Sequence, residues 1–140
     1  MKRFLFILAI AFAAVQLNAH ERHKFNPEKY EAELQQFIVT EAALTPYEAS
    51  VFFPVYKEMQ DKQRLLFNKM RSFRHVDVRD DKACLEAIQG RDETELKIKK
   101  LQQQYHTKFC RILPPSKVFR IIRAEEKFHR QAFRRAAKRR

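Results

Sequence analysis

From residue 26 onward, apolar and polar positions alternate with a helical period along almost the whole chain. Tyr30, Leu34, Phe37 and Ile38 keep the three- and four-residue spacing of one helix face. Asn26-Pro27-Glu28 precedes them. It supplies an N-cap, a proline suited to the first helical position and an acid at the positive helix end. The pattern predicts a first helix that packs one face and ends near Ala43. Thr45-Pro46-Tyr47-Glu48 opens a second, with the residues of a capping box. Its apolar stripe is broad: Ala49, Phe52, Phe53, Tyr56, Met59, Leu66, Phe67, Met70 and Phe73. Pro54 stands inside it, removes one backbone hydrogen bond and collides with the carbonyl of Ser50, which predicts a bend.

A third helix is predicted from about Asp80 to Leu113, with Asp77, Asp80 or Asp81 as its cap. Ala87, Thr94, Ile98, Leu101, Tyr105, Phe109 and Ile112 make a narrow seam between charged residues, closer to a coiled-coil stripe than a globular one. Gly90 could divide this stretch, and one long helix bent at the glycine is the preferred reading. Pro114-Pro115 ends it, because a residue before proline is driven out of the helical region. The last helix, 116–140, turns Val118, Ile121, Ile122, Phe128, Ala132 and Ala136 to one side. Arg120, Arg123, Lys127, Arg130, Arg134 and Lys138 cover much of the rest. The expectation is an all-α fold of about four helices, built on a long bent helical hairpin. One glycine and only three serines in 140 residues agree with a chain that makes few tight turns.

The first nineteen residues differ from the rest. Lys2 and Arg3 lead into an apolar run from Phe4 to Val15, followed by Ala19 as a cleavage residue. This is the layout of a secretory signal peptide, and the run is too short for the roughly 20 apolar residues that span a bilayer. The mature chain is then 20–140, a single helical domain. Loss of Lys2 and Arg3 takes the formal charge from +12 to +10. Arg111 to Arg140 holds eleven basic residues against Glu125 and Glu126, so nearly all of the excess belongs to the C-terminal helix. In the cytosol such a segment suggests nucleic acid. Export removes that partner and leaves anionic membrane surfaces, envelope polymers, acidic proteins, or plain solubility as its purpose.

Candidate chemistry is sparse. No nucleophile stands in a recognisable setting, and one glycine leaves no phosphate-cradling loop, so no enzyme is expected. Glu125 falls between Ile121 and Phe128 on the apolar side, where a carboxylate needs a partner; an arginine or lysine from another helix is expected to supply it. His20 and His23, or His106 and Cys110 four residues apart, could bind zinc or copper weakly. Neither pair completes a ligand set, and no metal or other cofactor is expected. Cys84 and Cys110 on one straight helix would stand roughly 39 Å apart at 1.5 Å per residue, too far to join. Two such helices packed antiparallel about a two-fold axis near Lys97 would bring Cys84 of one copy level with Cys110 of the other.

Leu44-Thr45-Pro46-Tyr47-Glu48 resembles the L-T-x-x-Q motif of the Spy/CpxP family, small all-helical proteins of the bacterial periplasm. A degenerate second copy is Leu113-Pro114-Pro115-Ser116-Lys117, between the third and last helices as in the family pattern. Phe53-Pro54-Val55-Tyr56 and the phrase AEEKFHRQ, with Glu125 and Phe128, extend the likeness. Glu48 stands where the motif has glutamine, and Pro114 where the second copy has threonine.

The resemblance implies a periplasmic curved antiparallel homodimer whose concave surface is basic with apolar patches. It also implies ATP-independent chaperone activity or damping of an envelope-stress sensor, and in some members zinc binding. Carried onto this chain, it makes Phe119, Arg120, Arg123, Lys127, Arg130, Phe133 and Arg134 the expected surface for unfolded or envelope proteins. A dedicated regulator of one membrane sensor or anti-sigma domain, and a metal-binding envelope protein, are the alternatives.

Overall fold

The computed structural model describes residues 25–139. The predicted signal peptide, His20, His23 and Arg140 lie outside that range. Four α-helices follow in order: α1 (Pro27–Ala42), α2 (Pro46–Ser72), α3 (Asp81–Ile112) and α4 (Pro115–Lys138), with a 3-10 turn (Phe73–His75) after α2. The expected all-α class holds, and no strand occurs among the described residues. Contacts divide the chain at Ala32 and Glu33. Within residues 25–32, Asn26 Oδ1 accepts from the Lys29 amide at 3.2 Å, capping α1, and the Phe25 and Tyr30 rings lie 5.6 Å apart.

The helix ends are set by local chemistry. α1 stops because Ala43 turns left-handed, with φ 50°. The amides of Ala43 and Leu44 then reach back to the carbonyls of Thr40 (3.3 Å) and Val39 (3.0 Å), a Schellman arrangement closed by a residue other than the usual glycine. The predicted capping box forms at α2: the Glu48 amide donates to Thr45 Oγ1 at 3.2 Å, and the Thr45 amide to Glu48 Oε2 at 2.9 Å. Asp80 is the residue that caps α3, accepting from the Ala83 amide at 3.0 Å. α2 runs on through Pro54, which is exposed.

Gly90 does not divide α3, which is one helix of 32 residues. The glycine is there for a neighbour. A Cβ at this position would meet Phe73 Cζ at 2.6 Å and Cε1 at 2.8 Å, so the ring at the end of α2 rests on bare backbone. One turn on, Thr94 is fully buried and its hydroxyl donates to the Gly90 carbonyl at 2.7 Å.

α2 and α3 make the main packing pair, a helical hairpin. The core lies where α4 and the C-terminal part of α1 join them: Phe52, Tyr56, Tyr105 and Phe109 among Leu34, Ile38, Val118, Ile121 and Phe128. Phe52 meets the Phe109 ring at 4.8 Å and Phe37 meets Phe128 at 5.4 Å. Such pairs contribute about 0.5–1.5 kcal/mol beyond their buried area. Fully buried side chains on α2 stop at Met59, and on α3 they begin at Thr94. Phe67, expected in the core stripe, is therefore exposed, and so is Ile112 at the other end of α3. One partner helix covers only one stripe of each.

Glu125 corrects another expectation. Its partner is the Tyr56 hydroxyl, which donates to Glu125 Oε2, where a basic side chain was expected. A phenol carries one donor into a half-buried place without the cost of desolvating a second charge.

Candidate binding surface on the last helix

The two copies of the five-residue motif adopt one design. Leu44 and Leu113 are both buried. Thr45 and Pro114 occupy the N-cap positions and Pro46 and Pro115 open the helices. Glu48 and Lys117, each four residues after its leucine, then meet: Lys117 Nζ donates to Glu48 Oε2, and to the Ala43 carbonyl at 3.0 Å. The Lys117 ammonium and the Thr45 amide hold the Glu48 carboxyl below the usual carboxylate range. This ion pair ties the start of α4 to the α1–α2 corner. A second tie is Lys127, whose Nζ lies 3.0 Å from both carboxylate oxygens of Glu41.

With its core face fixed by Val118, Ile121, Ala124 and Phe128, α4 must turn the opposite side to solvent. At ~100° per residue, Phe119, Arg120, Arg123, Lys127, Arg130, Phe133 and Arg134 fall within an arc of about 140°. All seven are exposed, Phe119 by 61% and Phe133 by 77%. The residues singled out in the sequence for partner binding therefore share one face. Leu44, Leu113 and Phe128 serve the core beneath it.

On this arc Lys127 pairs with Glu41 and Arg130 lies 4.0 Å from Glu126. Among the described residues, Arg120, Arg123 and Arg134 have no acidic partner. The phenylalanines mark one edge of the arc and Arg120 the other.

The sequence reading missed a second surface. Between α2 and α3 lies an open groove of about 860 Å³, lined by Phe67, Met70 and Leu96 with Arg71 and Arg74 on one side and Asp92, Glu95 and Lys99 on the α3 side. Leu85, Ile88 and Leu96 are all more than half exposed. They form a second apolar stripe on α3, off the seam that faces α2. Their spacing of three and eight residues was a legible signal, hidden by the stronger seam beside it.

Two polar clusters lie closer to the core. Tyr105, buried, donates to Glu58 Oε1 at 2.5 Å, and Lys62 Nζ donates to both Tyr105 Oη and Glu58 Oε1 at 2.8 Å. Lys62 and the Tyr105 hydroxyl hold the Glu58 carboxyl down at about 2; the same contacts raise the Lys62 ammonium. Lys108 Nζ sits 4.4 Å from the Tyr105 ring centroid, completing a clamp between α2 and α3. His106 is half-buried, and burial pushes its imidazole below the ordinary value against the opposing pull of Glu125. No group of three metal-ligating side chains occurs among the described residues. Cys84 and Cys110 are free on the same helix. No helix among them is long and apolar enough to cross a membrane.

No family model, curated protein or solved structure matches this chain. The function has to be argued from these surfaces.

Proposed function

We propose that this protein is a binding protein of the bacterial periplasm without catalytic activity, an ATP-independent chaperone or envelope-stress adaptor. It holds unfolded or partner proteins on the outward arc of α4. The observation that carries the reading is that arc: Arg120, Arg123 and Arg134, without acidic partners among the described residues, beside two exposed phenylalanines. A side chain with no role in its own fold is available to another molecule. Weak attraction to acidic segments together with burial of small apolar patches, at about 25 cal/mol per Å², gives broad binding that needs no nucleotide. The N-terminal signal layout and the motif resemblance support export to the periplasm.

The protein acts as a homodimer in this reading. The α2–α3 groove supports it, carrying Arg71 and Arg74 at the α2 end and Asp92 and Glu95, with Lys99, along α3. A two-fold contact would set each strip against its opposite and cover Leu96 and Phe67 on both copies.

The test is light scattering from an aggregating, chemically denatured client, with and without the purified protein, at low and high salt. Suppression at near-stoichiometric ratio that fades with salt is expected. No suppression at any ratio overturns the chaperone reading in favour of a regulator of one membrane sensor, to be sought by pull-down from envelope extracts.

A further inference from the structure

The outward arc of α4 carries two kinds of side chain in a fixed order. Arg120, Arg123, Lys127, Arg130 and Arg134 form a row with steps of three and four residues, about 21 Å long. Phe119 and Phe133 stand beside its two ends, also about 21 Å apart, and both project to solvent. Four grooves among the described residues are lined without any residue from α4. Bound side chains of a folded partner need pockets for their anchors, and no residue of this face lines any of these four. What it offers is a line of cations with an aromatic ring beside each end, all within the outward arc.

From this we infer that the α4 arc is a docking surface for an anionic phospholipid bilayer. The arginines meet headgroup phosphates and the two phenylalanines enter the boundary between headgroups and acyl chains. Complementarity of charge and of form argues for that occupant. A bilayer is a flat array of phosphates over an apolar layer, and a row of guanidiniums flanked by rings on one side of a helix matches both features at once. A duplex nucleic acid would use the cations and leave the rings exposed. Arg120, Arg123 and Arg134 can turn to the lipid without breaking any ion pair of the fold.

The inference deepens the preceding reading, since it takes the same arc as the working surface and names the surface on which that arc rests. Bilayer and client would take that arc in turn, the bilayer keeping the protein where clients are met.

The experiment is co-sedimentation of the full chain with phosphatidylcholine vesicles, with and without phosphatidylglycerol. Arg120→Gln/Arg123→Gln/Arg134→Gln and Phe119→Ser/Phe133→Ser are compared with the parent. The apolar run Phe4–Val15 is common to all three proteins, so differences between them report α4. Each cation removed should lower the partition onto anionic vesicles about fivefold, equivalent to about 1 kcal/mol, and the triple variant about 100-fold. The phenylalanine pair should cost roughly tenfold at both low and high salt.

Equal partition of all three proteins overturns the inference. So does displacement from vesicles by short duplex DNA with the phenylalanine variant indistinguishable from the parent. A parent that suppresses client aggregation without seeking anionic vesicles removes this inference alone. One that seeks the vesicles and fails to protect clients removes only the chaperone reading.

Discussion

Gly90→Ala sets a general helix rule against one close contact. Alanine is favoured over glycine in a helix interior by about 1 kcal/mol, so α3 alone should gain from the change. Against that, the new Cβ would lie 2.6 Å from Phe73 Cζ, where carbon atoms prefer about 3.5–4.0 Å. The ring must retreat by roughly 1 Å, and overpacking of this kind typically costs about 1–3 kcal/mol. The expected net result is a loss of up to about 2 kcal/mol, or several degrees in Tm. Phe73→Ala removes the obstacle, and in that background the same substitution should stabilise by about 1 kcal/mol. The assay is thermal and urea unfolding of the four proteins of the cycle, followed by circular dichroism. A coupling of roughly 1–3 kcal/mol is expected. If Gly90→Ala raises Tm equally with and without the Phe73 ring, the ring does not rest on the glycine and the account of the hairpin end is wrong.

Ala43→Gly should raise stability by about 1 kcal/mol, since the left-handed φ of Ala43 strains any residue with a Cβ; a urea midpoint that does not rise would contradict that backbone conformation. Tyr56→Phe leaves Glu125 without the phenol that donates to it and should cost about 1.5–3 kcal/mol in the same assay, whereas no loss would mean that water replaces the phenol freely. The depressed Glu58 carboxyl contributes stability above its ordinary value of 4.5, lost as the pH falls through about 2. Glu58→Gln should therefore flatten the fall in unfolding midpoint between those limits, and an unchanged acid slope would remove the Lys62 clamp from the account. Oxidation should yield no intrachain disulfide, because Cys84 and Cys110 share α3; a faster-migrating monomer on a non-reducing gel would refute a continuous helix.

The amino-acid sequence by itself determined the helices and where they start. Apolar spacing and N-cap chemistry act within a few residues, so the capping box at Thr45–Glu48 and the stop at Pro114 could be read without any knowledge of the fold, whereas the structure chose Asp80 from three candidate caps of α3. The outward arc of α4 was legible for the same reason: once Val118, Ile121 and Phe128 face inward, the helical period sends the arginines out. Contacts between distant segments were decided only by the tertiary structure. Glu48 and Lys117 are 69 residues apart in the chain, and each alone reads as an ordinary helix-end charge. Only their meeting shows that the two charges join the start of α4 to the start of α2. Gly90 read as a bend in one long helix because local propensity knows nothing of the Phe73 ring packed against it. Tyr56 read as core because an apolar stripe does not reveal that its hydroxyl ends at Glu125. The α2–α3 groove likewise exists because no other helix covers the outer stripes of that hairpin, and which stripe is covered depends on where neighbouring helices lie.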